Sequence, residues 1–267
     1  MSAQPAPVMK IDIETVKEGR SAAHEKVEAE WSSTLRKAGA PMHYYGLDSL
    51  SGLSQVWFVQ LMPSFEVNEE YGRFNAKEPL KSSVATLDSR DGELRVSSQR
   101  MWARYRADIS YRPESLTLAK TRYVDVGTVR VKAGKDEDFV NDAKALFGAY
   151  AKGNVDVCIL GYRVSAGAPE GTYLLFTMMD SMKVLDGYPE RMKAAMGAMG
   201  QDRYSQIMSG FADVTISMEH NLFGVEPAMS LPSQTVIDAD PGFWTPKATA
   251  KSEKIPVSIP GPPEQKK

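Results

Sequence analysis

The chain contains two similar halves, and this internal repeat constrains the fold more than any other feature of the sequence. The segment VKEGR at 16–20 recurs as VKAGK at 131–135, a shift of 115 residues. SFEV at 64–67 recurs as SMKV at 181–184, a shift of 117, which indicates a two-residue insertion in the loop at 166–171. The period is too long for a solenoid repeat, so each copy is expected to form a domain.

Both copies predict the same order of elements. A strand with alternating β-branched residues leads through a glycine turn into an amphipathic helix, and a hairpin and two short helices follow. A final strand is expected at 100–112 in the first copy and at 211–222 in the second. The sequence therefore predicts an α+β fold of two tandem ferredoxin-like β-α-β-β-α-β units, over residues 8–115 and 121–222.

Residues 232–267 differ in composition from the two copies. They are rich in proline, lysine, serine and alanine, and this pattern predicts an extended, disordered C-terminal tail. Val236, Phe243 and Trp244 are the exceptions, because their side chains could dock on the folded part.

Composition excludes several classes of function. The net charge is −2 without clustered Lys/Arg runs, so no nucleic-acid partner is expected. The single cysteine, Cys158, cannot form an internal disulfide, and no Cys/His cluster has zinc spacing, so no metal site is predicted. No apolar run approaches a membrane span, and no signal peptide is visible. We expect a cytoplasmic protein, or a secreted or periplasmic one if the given N-terminus is a processed one.

The order of elements, the Val-Lys-x-Gly-(Lys/Arg) turn at 16–20 and 131–135, and the glycine-containing aromatic hairpin resemble one known superfamily. It is the dimeric α/β-barrel superfamily, which includes antibiotic-biosynthesis monooxygenase-like and NIPSNAP-like domains. The resemblance covers about residues 8–222, and its motifs belong to the fold rather than to an activity.

This resemblance implies that the two units pack sheet to sheet as a pseudo-dimeric α/β barrel, with ligand pockets between sheet and helices. The haem-degrading branch is expected to carry a histidine on the second long helix. Neither 64–77 nor 181–200 contains one, and no cofactor is predicted.

Two histidines are candidate acid/base residues. His24 falls where the second copy has Phe139, at the start of the apolar face of the first helix, and it could face a cavity. His43 falls where the second copy has Cys158, on the second strand. The simpler interpretation is a packing histidine and a solvent-exposed ring, respectively.

Aromatic residues are dense in the first copy and are the candidate ligand-binding residues. They could form an apolar pocket for an aromatic ligand, although an ordinary core would produce the same pattern. The candidates are Trp31, Trp57, Tyr45, Tyr71 and Trp102.

Three functions remain open from the sequence. The first is binding of a small apolar or aromatic ligand in a pocket between sheet and helices. The second is a cofactor-independent monooxygenase or isomerase that uses His24 or His43. The third is a structural or assembly protein, and homo-oligomer formation stays open with it. Whether the chain is an enzyme is not decided at this level.

Overall fold

The computed structural model describes residues 5–245, which contain eight strands, nine α-helices and three short 3₁₀ helices at Ala107–Ile109, Pro113–Ser115 and Leu118–Lys120. The strands are β1 Val8–Val16, β2 Tyr44–Ser49, β3 Gln55–Met62, β4 Arg95–Tyr105, β5 Tyr123–Val131, β6 Cys158–Ala166, β7 Thr172–Met179 and β8 Thr215–Leu231. The helices are α1 Ser21–Lys37, α2 Glu66–Asn75, α3 Leu80–Gly92, α4 Asp136–Lys152, α5 Lys183–Asp186, α6 Tyr188–Met199, α7 Gln201–Val214, α8 Gln234–Ala239 and α9 Pro241–Trp244.

The strands form one closed antiparallel barrel in the order β1-β3-β2-β8-β5-β7-β6-β4. The first four strands are therefore neighbours in the order β4-β1-β3-β2, and the last four in the order β8-β5-β7-β6. Hydrogen bonds join the two groups at both edges, between β2 and β8 and between β4 and β6. The predicted α+β class and barrel are confirmed. The sheets meet edge to edge, so a single chain closes the barrel without exposed strand edges.

Side chains fill the barrel interior, because alternate residues of each strand point inward. On β1 the inward residues are Met9, Ile11 and Ile13, and they join one apolar cluster with Val124 and Val126 of β5. The intervening residues of β1 point outward to the layer of helices. A pocket on the helix side of the sheet is therefore separated from the barrel interior by the sheet itself.

Helices cover the outside of the barrel in both halves. In the first half α1 packs on β8 and α3, and in the second half α4 packs on α6 and α7. The clusters beneath them are distinct from the barrel core: one includes Leu35, Tyr44 and Phe58, and another includes Val129 and Phe139. None of the helices among the described residues is long and apolar enough to cross a membrane.

The final strand of each half has different bounds from those that the sequence predicted. β4 begins at Arg95 rather than at residue 100, and the predicted end of this strand survives only as an isolated bridge between Tyr111 and Ile159. β8 begins at Thr215 and continues to Leu231, because its later part pairs with β2 across the junction of the halves. This pairing depends on barrel closure, which a local pattern does not reveal.

Predicted disorder from residue 232 is wrong for residues 234–244, which form α8 and α9. The physical reason is a docked aromatic side chain: Trp244 is 1% exposed, and its indole N–H donates to the carbonyl of Ala119. Arg122 also stacks on the ring of Phe243 and pairs with Asp240. The rest of the predicted tail, 246–267, lies outside the described residues.

Candidate functional site

The candidate site is a cavity of about 470 Å³ on the helix side of the first-half sheet. β1, β3 and β4 form its floor, and α1, α2 and α3 cover it. Five acidic and three basic residues line it together with aromatic, apolar and amide side chains. The lining residues are Lys10, Asp12, Glu14, Glu28, Trp31, Leu35, Met42, Tyr44, Phe58, Gln60, Asn75, Asp88, Asp91, Arg95, Ser98, Gln99 and Arg100.

A buried group of ionisable residues lies at this cavity, and we call Glu14, His24, Glu28, Asp91 and Arg95 the charged cluster. Glu14 is on the outward face of β1, while His24 and Glu28 are four residues apart and share one face of α1. Asp91 is near the end of α3 and Arg95 begins β4. Four of the five are under 9% exposed, since they lie between sheet and helices.

Each of two carboxylates in the charged cluster uses one oxygen for Arg95 and directs the other at His24. Arg95 Nη1 lies 2.6 Å from Glu14 Oε1, and Arg95 Nε lies 2.8 Å from Asp91 Oδ2. The remaining oxygens, Glu14 Oε2 and Asp91 Oδ1, lie 2.8 and 3.2 Å from His24 Nε2. Arg95 therefore fixes the orientation of both carboxylates around the imidazole.

Glu28 differs from the other members, because no hydrogen bond or ion pair within the described residues holds its carboxyl. Burial, and then the negative charges of Glu14 and Asp91, raise the pKa of Glu28 from 4.5 to about 9. Burial and the neighbouring Glu14 likewise raise the pKa of Asp91 to about 6. At neutral pH the cavity thus contains a protonated Glu28 carboxyl, which can donate a hydrogen bond.

Three buried side-chain atoms in residues 5–245 lack a hydrogen-bond partner, and all three belong to residues that line this cavity. They are the hydroxyl of Tyr44, Oδ1 of Asn75 and Oδ1 of Asp91. Asp91 Oδ1 is near His24 Nε2, but the shorter contact of that nitrogen is to Glu14. Buried polar atoms are nearly always satisfied in native proteins, so this concentration indicates a site for a ligand or water.

The corresponding place in the second half is apolar. Strand pairing gives the correspondence, since Thr15 pairs with Ser97 and Val16 with Arg95, while Arg130 pairs with Ser217 and Val131 with Thr215. Glu14, His24, Glu28 and Asp91 then correspond to residues that pack together beneath α4, which are Val129, Phe139, Ala143 and Phe211. The fold therefore forms at this place without charged residues.

The two histidines predicted as acid/base residues lie in different environments. His24 is 1% exposed and belongs to the charged cluster. His43 is exposed, just before β2, and lines a separate depression with Tyr45 and Tyr162. Cys158, which was matched to it, is buried in the barrel core.

The five predicted aromatic residues do not form one pocket. Trp31 lines the cavity, and Tyr71 packs against the same apolar cluster. Trp57 and Tyr45 instead face the barrel interior, and Trp102 lies on Phe65 with ring centroids 5.5 Å apart.

Sequence reasoning missed Glu14, Glu28, Asp91 and Arg95. The shift of 115 residues that singled out His24 also pairs Glu14 with Val129 and Glu28 with Ala143, so a full comparison of the halves could have found both. For Asp91 and Arg95 the shift between the two halves is 120 residues rather than 115, and only the strand pairing reveals this shift.

Comparison with known proteins identifies the fold class. No family model and no curated protein match the chain. An anthrone oxidase-like protein has a TM-score of 0.54 at 16% identity, and covers 85% of this chain and 94% of its own. A candidate monooxygenase from Fusobacterium nucleatum has a TM-score of 0.54 at 8% identity, covering 84% and 94%. The chain thus has the dimeric α+β-barrel fold, completed here within one polypeptide.

The prediction that no cofactor is used was wrong. A mutant chlorite dismutase from Candidatus Nitrospira defluvii shares the fold, with a TM-score of 0.51 at 7% identity, covering 88% and 96%. The absence of a histidine from 64–77 and 181–200 therefore did not justify excluding a cofactor.

The histidines of this chain do not fit a haem held by an imidazole. His24 Nε2 already lies between two carboxylate oxygens. His220 is exposed on β8 and its Nδ1 lies 3.1 Å from Asp125, and His43 is outside the large cavity. The carboxylates of Glu14, Glu28 and Asp91 belong to residues that line the cavity, whereas His24 is buried behind them.

Proposed function

We propose that this protein binds a small molecule with an aromatic or apolar part in the cavity between the first-half sheet and α1–α3. The observation that carries the proposal is that Tyr44, Asn75 and Asp91, which each have a buried polar atom without a hydrogen-bond partner, all line one cavity. A ligand that supplies hydrogen bonds there removes the cost of about 1–3 kcal/mol for each unsatisfied group. Trp31 and Phe58 supply apolar surface in the same cavity.

A thermal-shift screen of small hydroxylated aromatic compounds tests this proposal. A ligand at about 100 times its Kd stabilises the fold by about 2.7 kcal/mol. For a chain of this size that corresponds to a rise in Tm of roughly 5–10 °C. Tyr44→Phe should reduce the shift, while Tyr188→Phe, at an exposed position, should leave it unchanged. Equal shifts in both variants would place the ligand elsewhere.

A second candidate function is an oxygenase or isomerase that transfers a proton to or from the bound ligand. Two observations favour it. His24 pairs with the carboxylates of Glu14 and Asp91, and burial raises the pKa of the neighbouring Glu28 to about 9. Such groups perform general acid–base catalysis when they face a ligand. The anthrone oxidase-like neighbour suggests reduced polycyclic phenols as first substrates.

Oxygen consumption with anthrone as the substrate tests this second candidate. Glu28→Gln should abolish turnover, whereas Glu25→Gln, on the exposed face of the same helix, should retain it. Turnover that survives Glu28→Gln would remove the role of this carboxyl.

We also infer that residues 8–115 and 121–222 are two copies of one ferredoxin-like unit. Matching contacts support this. Lys17 N–H donates to the carbonyl of Leu94 and its Nζ to that of Glu93, while Lys132 makes the same two bonds to Val214 and Asp213. An experimental structure whose halves failed to superimpose would refute the duplication. Homo-oligomer formation and a structural role stay predictions.

A further inference from the structure

We propose that Glu14, His24, Glu28 and Asp91 form a binding site for one divalent first-row transition-metal ion. Each residue offers one ligand atom, and these atoms all lie within 4.8 Å of one another. Metal–ligand distances of about 2.0–2.2 Å place opposite ligand atoms up to about 4.4 Å apart. Ligand atoms in a tetrahedral site are about 3.3–3.6 Å apart, so the most distant pair must close by about 1 Å and the 2.8 Å pair of Glu14 and His24 must separate slightly to hold an ion.

The orientation of the carboxylates supports metal binding over a simple ion-pair network. Arg95 holds Glu14 Oε1 and Asp91 Oδ2, and leaves Glu14 Oε2 and Asp91 Oδ1 directed at His24 Nε2. This arrangement leaves one oxygen of each carboxylate available as a ligand, while a surrounding cation fixes the other. A network that only satisfied Arg95 would not require His24 or Glu28.

Two further observations point to a missing ligand at this place. Asp91 Oδ1, on a side chain 2% exposed, makes no assigned hydrogen bond within residues 5–245 and lies 3.2 Å from His24 Nε2, which is closer to Glu14 at 2.8 Å. The hydroxyl of Tyr44, a residue that is 9% exposed and lines the same cavity, is also unpartnered. Glu28 lies among these groups without an ion pair. Burying unsatisfied and charged groups is costly, and an ion that accepts their lone pairs offsets that cost.

The second half shows that these residues are not needed to build the fold. Val129, Phe139, Ala143 and Phe211 fill the corresponding volume with apolar packing. A fold that forms with apolar residues in one half carries the charged cluster in the other for a reason other than packing.

The donor set defines the class of ion. Three carboxylates favour hard divalent cations, whereas imidazole favours Zn²⁺, Fe²⁺ and their neighbours in the first transition row. One nitrogen and three oxygens together favour Mn²⁺, Fe²⁺ or Zn²⁺ over Mg²⁺ and Ca²⁺. The side of the ion that faces the cavity remains open to water or to an organic ligand.

Isothermal titration of the chelator-treated full chain with MnCl2 or ZnCl2, without any organic compound, tests the proposal. We expect one ion per chain, and MgCl2 or CaCl2 should bind more weakly. Because only metal is added, a failed metal titration and a failed compound screen are separate results. The inference depends on the proposed function only in that both use the same cavity.

Variants locate the ion. Glu28→Gln should weaken binding by more than the roughly 10–100-fold that loss of an outer partner costs. His24→Phe with Glu28→Ala, the residues of the second half, should abolish binding in a chain that still folds. Glu25→Gln is the matched control on the same helix, and His43→Ala with His220→Ala controls for surface histidines.

Two results would overturn the proposal. The first is no binding of Mn²⁺, Fe²⁺ or Zn²⁺ by the parent chain. The second is binding that survives Glu28→Gln but disappears in the surface-histidine variant. If the variants fail to fold, anomalous scattering from a zinc-soaked crystal decides, because the expected peak lies between Glu14, His24, Glu28 and Asp91, and a peak elsewhere refutes the site.

Discussion

Replacing Glu28 by glutamine should change how the stability of the metal-free protein depends on pH. Burial, and then Glu14 and Asp91, raise the pKa of Glu28 from 4.5 to about 9. The folded chain therefore keeps a proton on this carboxyl at pH values where the unfolded chain has released it. The free energy of unfolding is therefore not reduced by Glu28 below pH 4.5. It decreases as the pH rises from 4.5 to about 9, and Glu28 causes no further decrease above that pH.

The size of the effect follows from the shift in pKa. One unit corresponds to about 1.4 kcal/mol, so the penalty from Glu28 is roughly 1 kcal/mol at pH 5 and roughly 5 kcal/mol at pH 8. Glutamine has nearly the same shape and does not ionise. Relative to the parent protein, Glu28→Gln should therefore gain about 4 kcal/mol between pH 5 and pH 8.

Urea unfolding at pH 5, 6, 7 and 8 in the presence of a chelator measures this difference. Ionisable groups outside the charged cluster are common to both proteins, so their contributions cancel when the free energies of unfolding are subtracted. Glu25→Gln is the control, because Glu25 is exposed on the same helix. Parallel stability curves for Glu28→Gln and the parent protein would show that Glu28 ionises normally, and would refute the raised pKa of Glu28.

Four further substitutions test the packing. His24→Phe should lower the free energy of unfolding in urea by about 3–5 kcal/mol, because two buried carboxylates lose their shared partner; an unchanged value would contradict the contact. Trp244→Ala should cost about 3–5 kcal/mol by the same assay and should expose residues 234–244 to limited proteolysis, and a resistant variant would show that α9 is not held by this side chain. Gly167→Ala should lower Tm strongly, because its φ is +90° and a Cβ would lie 1.9 Å from the carbonyl oxygen of Arg100. Gly197→Ala, where nothing lies within 4 Å, should raise the free energy of unfolding by about 0.5–1 kcal/mol, and equal Tm changes in the two glycine variants would contradict the backbone geometry.

The sequence predicted the order of helices and strands because local patterns encode it. Alternation marks β5, and helical spacing of apolar residues marks α4. The repeated turns at 16–20 and 131–135 also predicted that the halves correspond. The pairing of β2 with β8 and of β4 with β6 could not be predicted in this way, because these strands are far apart in the chain and meet only when the barrel closes.

The candidate site was predictable only in part. His24 was visible because a histidine stands where the other copy has Phe139. Asp91 and Arg95 look like ordinary surface residues of a helix end and a strand, and their burial depends on how α3 returns to β4. The prediction of aromatic ligand-binding residues suffered from the opposite problem. Trp31 and Trp57 are the same residue type, but Trp31 on α1 lines the cavity outside the barrel, whereas Trp57 on β3 faces the barrel interior.

The difference between the halves bears on why the charged cluster persists. Apolar residues of matching volume usually stabilise a buried site as well as an ion-pair network does, or better by about 1–4 kcal/mol. The second half has that solution around Phe139, and the first half has Glu28 instead, at a cost that grows with pH. Because both solutions exist on the same backbone, the cost cannot be attributed to the fold. The loss of stability occurs in the half that contains the cavity, which is expected when groups that bind a ligand are retained at the expense of stability. A metal ion held by Glu14, Glu28 and Asp91 would offset that cost, and so would couple occupancy of the site to the stability of the folded protein.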